Sequence, residues 1–499
     1  MFKDVRNIIK HSSIYSFGNV ISKAIGIILI PIYTKVIAVE LFGVYSILEI
    51  IQQFTVGFLH LGLPNALFRW LSLEKHEKKS DSILFSVFIT LVMVSFLQFI
   101  LTLLVNEKLS NLFFKTEIYG KIIIVISMII SFRLLNNVGL FYLRYKQKSI
   151  MFIIISISKF FLQLVVTIYF VAFMKIGILG IFWGQLAGDM LAFFILLFVL
   201  YRNFTIYFEY KIIKNMIAFG FPLTFSGISS RILNMGDRFI LLLLTNKAIV
   251  GMYALGYKFA NLLKTIVIKA FQTAFIPSAW KKFEEGNAQR FCSLMLTYYI
   301  FISFWISLFI SIYAKGIIHL FARDTSYWPA YKIIPIAIFS ISIRGMFTVF
   351  KMGLQFKKQT KYHALIVVIG ALLNVILNFL LIPGLGMVGA ALATLLSFIF
   401  IAIAGYKISD KYYPVNYQWK RIVLISITTF IIYIISLPLN RLELVWRITF
   451  KFVLLGSYPL LLYFFKFYNK DELARIKGAW KKWTNLKKMK RNVKNIKLE

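Results

Sequence analysis

Arg231, Asp237 and Arg238 lie in the stretch SSRILNMGDRFILLL (229–243), inside a run apolar enough to dissolve in lipid. A charge near the bilayer centre costs about 2.5–3.5 kcal/mol on insertion scales, so it needs a partner charge, water or an anionic ligand. Lys23, Arg133, Lys159, Lys258, Lys264, Lys269 and Arg344 raise the same question in other apolar runs. The acids in those runs are Glu49, Asp189 and Asp237, too few to neutralise the bases. A surplus of cations in apolar helices is chemistry for holding an anion, and phosphate or pyrophosphate suits the donors of Lys and Arg. Lys23, Arg231, Lys264, Lys269 and Arg344 are therefore the candidate substrate-binding cations. Glu49, Asp189 and Asp237 are the candidates for ion coupling. A plainer reading has Asp237 neutralising Arg238 or Arg231, and Lys258 and Lys351 reaching to a membrane interface.

Helical periodicity gathers these residues into stripes. At about 100° per residue, Thr224, Gly227, Arg231, Asn234 and Arg238 share one face. So do Ser12, Ser16, Asn19 and Lys23; Lys258, Asn261, Lys264, Thr265, Lys269 and Gln272; and Glu49, Gln52, Gln53 and His60. Polar stripes of this kind face a bundle interior or water.

Other chemical signals fail on context. GLGMVG (384–389) has the glycines of a dinucleotide-binding turn but joins two hydrophobic runs, not a strand and a helix. KDEL at 470–473 is internal. The five histidines are scattered and Cys292 is the only cysteine, so the sequence offers no metal site, no cofactor site and no nucleophile–base pair.

The elements that must position the charged residues follow from composition. The 499 residues are 60% hydrophobic and 17% aromatic with a mean hydropathy of +0.79, the composition of an all-α polytopic membrane protein. Windows long enough to cross a bilayer occur at 14–36, 44–67, 82–105, 121–143, 150–173, 178–201, 217–243, 252–276, 291–313, 331–352, 362–382, 387–406, 421–437 and 448–465. The first window has Lys23 in its middle and no clear cleavage site, which argues for a retained span over a signal peptide. Alternate loops, such as RYKQK and KKQTK, are rich in Lys and Arg, whereas MKIG and PGLG between them have one or none. The positive-inside rule then puts both termini in the cytoplasm. Most of the net charge of +38 is topology and calls for no nucleic acid.

The chain also repeats itself. AVELFGVYSIL (38–48) resembles NKAIVGMYALG (246–256), pairing Gly43 with Gly251 at an offset of 208. LRYKQK (143–148) resembles LQFKKQ (354–359) at 211, and GILGIFWGQLA (177–187) resembles GMVGAALATLL (386–396) at 209. The first register carries Lys23 onto Arg231. An even number of spans separates the matched segments, so the two halves share an orientation and a pseudo-two-fold axis along the membrane normal. The expected domains are a first six-helix bundle (1–203), a second (204–410), two further helices (411–466) and a basic amphipathic tail (467–499) that contacts anionic lipids.

Fourteen spans, the six-plus-six repeat, LFGVYSI after the first span and IVGMYAL after the seventh resemble the Wzx-type polysaccharide flippases. These belong to the multidrug/oligosaccharidyl-lipid/polysaccharide exporter superfamily. The resemblance implies export of an oligosaccharide on undecaprenyl pyrophosphate from the cytoplasmic to the outer leaflet, by alternating access. It implies a cell-membrane location beside other polysaccharide-assembly proteins, with Lys23 and Arg231 as pyrophosphate contacts. A lipid II flippase fits the same cations. A drug exporter would need acidic cavity residues, and a polytopic glycan-assembly enzyme is disfavoured by the short outer loops. Pyrophosphate moving outward gains about 2.3 kcal/mol per charge per 100 mV from an inside-negative potential, so ion coupling is expected to be dispensable. The last two helices, outside the repeat and strongly apolar, are expected to line a groove for the lipid tail.

Overall fold

The computed structural model of the protein describes residues 28–71, 79–470 and 472–474. Among them every regular element is helical. The helices are α1 (Ile30–Val36), α2 (Val39–Leu59), α3 (Leu63–Leu71), α4 (Ser80–Phe114), α5 (Gly120–Tyr145), α6 (Ser149–Ile168), α7 (Ile178–Tyr201), α8 (Tyr210–Met235), α9 (Asp237–Leu244) and α10 (Lys247–Leu263). They continue with α11 (Lys269–Glu284), α12 (Ala288–Phe321), α13 (Ile334–Phe356), α14 (Thr360–Tyr412), α15 (Trp419–Ser436) and α16 (Leu444–Phe464).

Twelve continuous helical stretches among the described residues are long and apolar enough to cross a membrane. The longest, α14, has 53 residues, but Gly386 breaks it with φ 53° and ψ −130°. Its two arms fold back on each other, with Asn374 Nδ2 donating to Thr394 Oγ1 at 3.3 Å, so it supplies two of the expected spans. The expected first span, with Lys23, falls outside the described residues except for its end at 28–36. Several helices outrun their apolar windows: α4 carries on through NEKLSN to Phe114, where Glu107, Lys108 and Leu109 are good helix formers and the cost of the flanking Asn and Ser is small.

The repeat is visible in the backbone. Gly177 (φ 66°, ψ −141°) and Gly386 adopt the same conformation, open only to glycine, at positions 209 apart. Gln147 and Lys358, 211 apart, are both left-handed residues ending a helix. Their surroundings match bond for bond. Lys148 N–H donates to Leu143 O at 2.9 Å and Gln359 N–H to Leu354 O at 2.7 Å, the six-to-one bond of a Schellman cap.

The halves meet through equivalent surfaces. A Cβ on Gly43 of α2 would collide with the carbonyl oxygen of Lys247, and one on Gly251 of α10 with that of Val39. Each added Cβ would lie 3.1 Å from the other glycine's nitrogen. Residue for residue this is a self-complementary contact, the mark of a two-fold axis. It lies at the end of the molecule away from the basic loops, where α2 and α10 both begin. At the basic-loop end Gly62 and Gly220 press backbone to backbone, joining α3 to α8.

The core fills the space between the bundles with aromatic and branched side chains, among them Phe42, Tyr45, Phe182, Tyr253 and Tyr257. Helices α15 and α16 lean on α12: Trp305 Nε1 donates to Leu455 O at 3.2 Å, and the buried Lys451 donates to Ile312 O at 2.8 Å. Their far sides expose Phe430, Phe452 and Phe464, surface that only lipid covers favourably. The chain after α16 docks through Glu472, which accepts from Tyr298 Oη at 2.6 Å and Arg421 Nη2 at 2.7 Å. The amphipathic pattern beyond it lies outside the described residues.

Candidate functional site

A cavity of about 640 Å³ lies between the two halves. Among the described residues its basic lining residues are Arg133, Lys159, Arg238, Lys258 and Lys264, and its acidic lining residue is Glu49. They come from α2, α5 and α6 of the first half and from α9, α10 and the turn after α10 in the second.

The first-half cations are held from behind. Arg133 Nε donates to Asp189 Oδ2 at 3.0 Å, Nη1 to Gln52 Oε1 at 2.8 Å and Nη2 to Gln185 Oε1 at 2.8 Å. Lys159 pairs with the other oxygen of the same carboxylate, and Asn136 Nδ2 donates to the Asp189 backbone carbonyl at 2.9 Å. Asp189 is fully buried, so one carboxylate serves two cations and the cluster keeps a net positive charge.

The second-half cations are held by dipoles and rings. Arg238 Nη1 donates to Ser46 Oγ at 2.9 Å, across the junction of the halves. Lys258 Nζ lies 4.8 Å from the ring centre of Phe42, 5.2 Å from Tyr45 and 5.6 Å from Tyr33. Three ring faces hold an ammonium without cancelling its charge. Lys264 Nζ reaches Asn234 Oδ1 at 3.4 Å. Lys264 opens a π-helical turn, Lys264–Ile268, and widened turns of this kind are frequent at functional sites.

The expected binding cations therefore separate. Lys264 lines the cavity. Arg231 is half-buried at the seam between halves, its guanidinium against Gly57 of α2. Arg344 lies within the second bundle, its Cζ 5.2 Å from the ring centre of Phe398. Lys269 is exposed and off the cavity wall. Lys23 is outside the described residues. Arg133, Lys159, Arg238 and Lys258 line the cavity without having been singled out as ligands. A signal for two of them existed, since Arg133 and Lys159 are lone charges in apolar helices.

The three acids differ as sharply. Glu49 lines the cavity, and Asp189 is committed to Arg133 and Lys159. Asp237 is buried and does not pair with Arg238; it accepts from the hydroxyls of Tyr253 and, at 3.5 Å, Thr394. Its Oδ1 has no hydrogen-bond partner, and neither has Oδ1 of Asn378, one turn from Asn374, which donates to Thr394. Among the described residues no group of three or more His, Cys, Asp or Glu could hold a metal ion.

A family model described as polysaccharide biosynthesis protein matches residues 8–283, and the MatE model matches residues 222–380. No curated protein sequence matches the chain significantly. Among solved structures, a lipid II flippase MurJ in an inward closed conformation superposes with a TM-score of 0.74 at 18% identity, over 90% of this chain and 98% of its own. An outward-facing multidrug resistance MATE transporter of the MOP superfamily gives 0.61 at 14% identity, over 81% and 95%. The Vibrio cholerae MATE transporter VcmN gives 0.61 at 14% identity, over 81% and 96%.

Proposed function

Because the chain belongs to the polysaccharide biosynthesis protein family, whose model spans more than half of it, we propose that this multi-pass membrane protein flips a lipid-linked oligosaccharide. The headgroup carries a pyrophosphate and crosses from the cytoplasmic to the outer leaflet for assembly into a surface glycan. The observation that carries this reading is the cavity itself: among the described residues, five basic side chains and one acid, drawn from both halves and enclosed among apolar helices. Charges held this way favour an anion and reject the cationic compounds that a drug exporter takes. The protein sits in the cytoplasmic membrane with both termini inside.

In this mechanism the halves rock about the crossing of Gly43 and Gly251. Arg133, Lys159, Lys258 and Lys264 take the pyrophosphate from both sides, while the polyprenyl tail stays in lipid, where α15 and α16 offer apolar surface. Each polar group of the headgroup stranded in hydrocarbon would cost several kcal/mol, so the head must travel inside the protein. Asp189, doubly paired, is fixed as structure. Asp237, with its unpartnered oxygen, is the acid able to exchange an ion.

A lipid II flippase is the second reading, favoured by the superposition on the lipid II flippase MurJ. Mass spectrometry of lipid-linked glycans that accumulate on deletion of the gene separates the two. A surface-glycan repeat unit on the lipid supports the first reading, lipid II alone supports the second, and accumulation of neither removes both.

A further inference from the structure

The duplication allows each half to be read against the other, and the comparison isolates one arginine. The offset of 211 that relates Gln147 to Lys358 takes Arg133 of α5 to Arg344 of α13. The offset of 209 that relates Gly177 to Gly386 takes Asp189 to Phe398. Contacts agree with the registers: Arg133 lies against Asp189, and Arg344 against Phe398. Lys159 has no basic counterpart in the second half either. Gly180 packs on Phe170 as Gly389 packs on Leu381, and that register of 211 takes Lys159 to Gly370. The second bundle has the arginine without the acid that neutralises it in the first.

A lysine and a histidine with no counterpart in the first bundle lie on the same side of the second in place of the acid. The Phe347 ring centre is 6.0 Å from the Arg344 guanidinium carbon and 5.4 Å from the centre of the His363 imidazole, which stacks on it. Lys351 follows Arg344 on the same face of α13, two turns or about 10 Å nearer the basic-loop end. Lys351 and His363 are half-buried. Nη1 of Arg344 is buried and has no hydrogen-bond partner. A guanidinium held by ring faces, with one nitrogen unmet and no acid beside it, is a half-made anion site.

We propose that Arg344, Lys351 and His363 form a second anion-binding site inside the second bundle, which takes a phosphoryl group between the basic-loop end and the centre of the protein. The proposal rests on the pyrophosphate reading of the cavity and adds a second station to it. The phosphoryl group belongs either to the lipid-linked headgroup or to a free inorganic anion. Both present the oxygens that the unmet nitrogen needs. Phe398 is what keeps the station open: an acid there would rebuild the pair of the first bundle and close it.

The test is anion binding to the full-length protein in nanodiscs, with farnesyl diphosphate and inorganic pyrophosphate as probes. The wild type should take up two anions per chain. Phe398→Asp and Arg344→Gln should each lose one, and Phe398→Leu should keep both. Arg344→Lys, which retains the charge, should keep the second anion with affinity weakened by about tenfold, a check that is independent of whether Arg344→Gln folds. A second anion seen only with farnesyl diphosphate assigns the station to the lipid headgroup; one seen with inorganic pyrophosphate as well assigns it to phosphate in general. One anion in the wild type, unchanged in Phe398→Asp and Arg344→Lys, overturns the second station and leaves the cavity reading standing. No anion in the wild type overturns both.

Discussion

Gly43 and Gly251 occupy the same place in the two halves of the chain and touch each other, each so close to the other helix that a Cβ on either would strike backbone. Backbone cannot swing aside as a side chain can. Gly251→Ala should therefore force α2 and α10 apart at the end away from the basic loops, at about 1–3 kcal/mol for overpacking a tight contact. Cysteines at Val39 and Lys247 report the separation: their crosslinking by a short bifunctional reagent should fall in Gly251→Ala. Unchanged crosslinking would mean that the helices do not pivot on this contact.

The cavity cations should be needed for transport and not for folding. Lys258→Ala and Lys264→Ala remove charges from the cavity wall, so both variants should reach the membrane and export little glycan. Losing one charge-assisted contact to phosphate, about 1.5–3 kcal/mol, means roughly a tenfold or greater fall in the rate of flipping. Arg231→Ala should also impair export and Arg231→Lys should retain part of it, since lysine keeps the charge but not the fork. Normal surface glycan in the two lysine variants would take the cavity out of the substrate path.

Asp189→Ala should behave differently, because it strands Arg133 and Lys159 beside each other with no counter-charge. Breaking a buried pair by removing one partner costs about 3–5 kcal/mol. The expected outcome is a lowered melting temperature and a poor yield of folded protein, with or without an ion gradient. A stable variant that had lost only its ion dependence would return Asp189 to the coupling role.

Glu472 gives the docked chain after α16 a pH dependence. Burial raises its pKa, but hydrogen bonds from Tyr298, Arg421 and the Asn469 N–H, with the Arg421 charge, outweigh it and hold the carboxyl below its ordinary value. The folded pKa is thus lower than the unfolded one, so the stabilisation is complete above about pH 4.3 and is lost as pH falls through the depressed value. Hydrogen exchange at residues 466–474 should stay slow at neutral pH and quicken only in stronger acid. In Glu472→Gln it should be fast throughout, and equal exchange in the two proteins at pH 7 would deny the carboxylate this role.

Transport should follow the membrane potential. In proteoliposomes a potential negative on the cytoplasmic side should drive flipping with no proton or sodium gradient, at about 2.3 kcal/mol per charge per 100 mV. An absolute need for either gradient with the potential imposed would make an ion exchanged at Asp237 part of the cycle.

The spans and the duplication are legible in the sequence because both rest on local rules, hydropathy over a bilayer's width and glycines or caps in fixed places. The site is legible only in part, and the reason is geometric. A wheel says which residues of a helix share a face, not what that face meets. Lys258 reads as a lysine bound for the interface until Phe42, Tyr45 and Tyr33 close around it from helices far away in sequence. Lys264 and Lys269 share one polar arc but sit at its opposite edges, about 140° apart on an ideal wheel, and only packing decides that the Lys264 edge meets the cavity while the Lys269 edge is exposed. Arg133 and Arg344 each read as a solitary charge; only the neighbours that folding brings, Asp189 for one and Phe398 for the other, set them apart.

The meeting of Gly43 with Gly251 also bears on ancestry. A contact that is the same from both sides requires a single surface, so a gene for one six-helix unit could have made a working pair by binding its own copy. Such a homodimer has no freedom to treat its two members unequally, since any mutation appears twice. Joining the copies in one reading frame removed that constraint. An acid could then stay at 189 while its counterpart at 398 became a phenylalanine, and two bundles bound to do the same work could come to do different work.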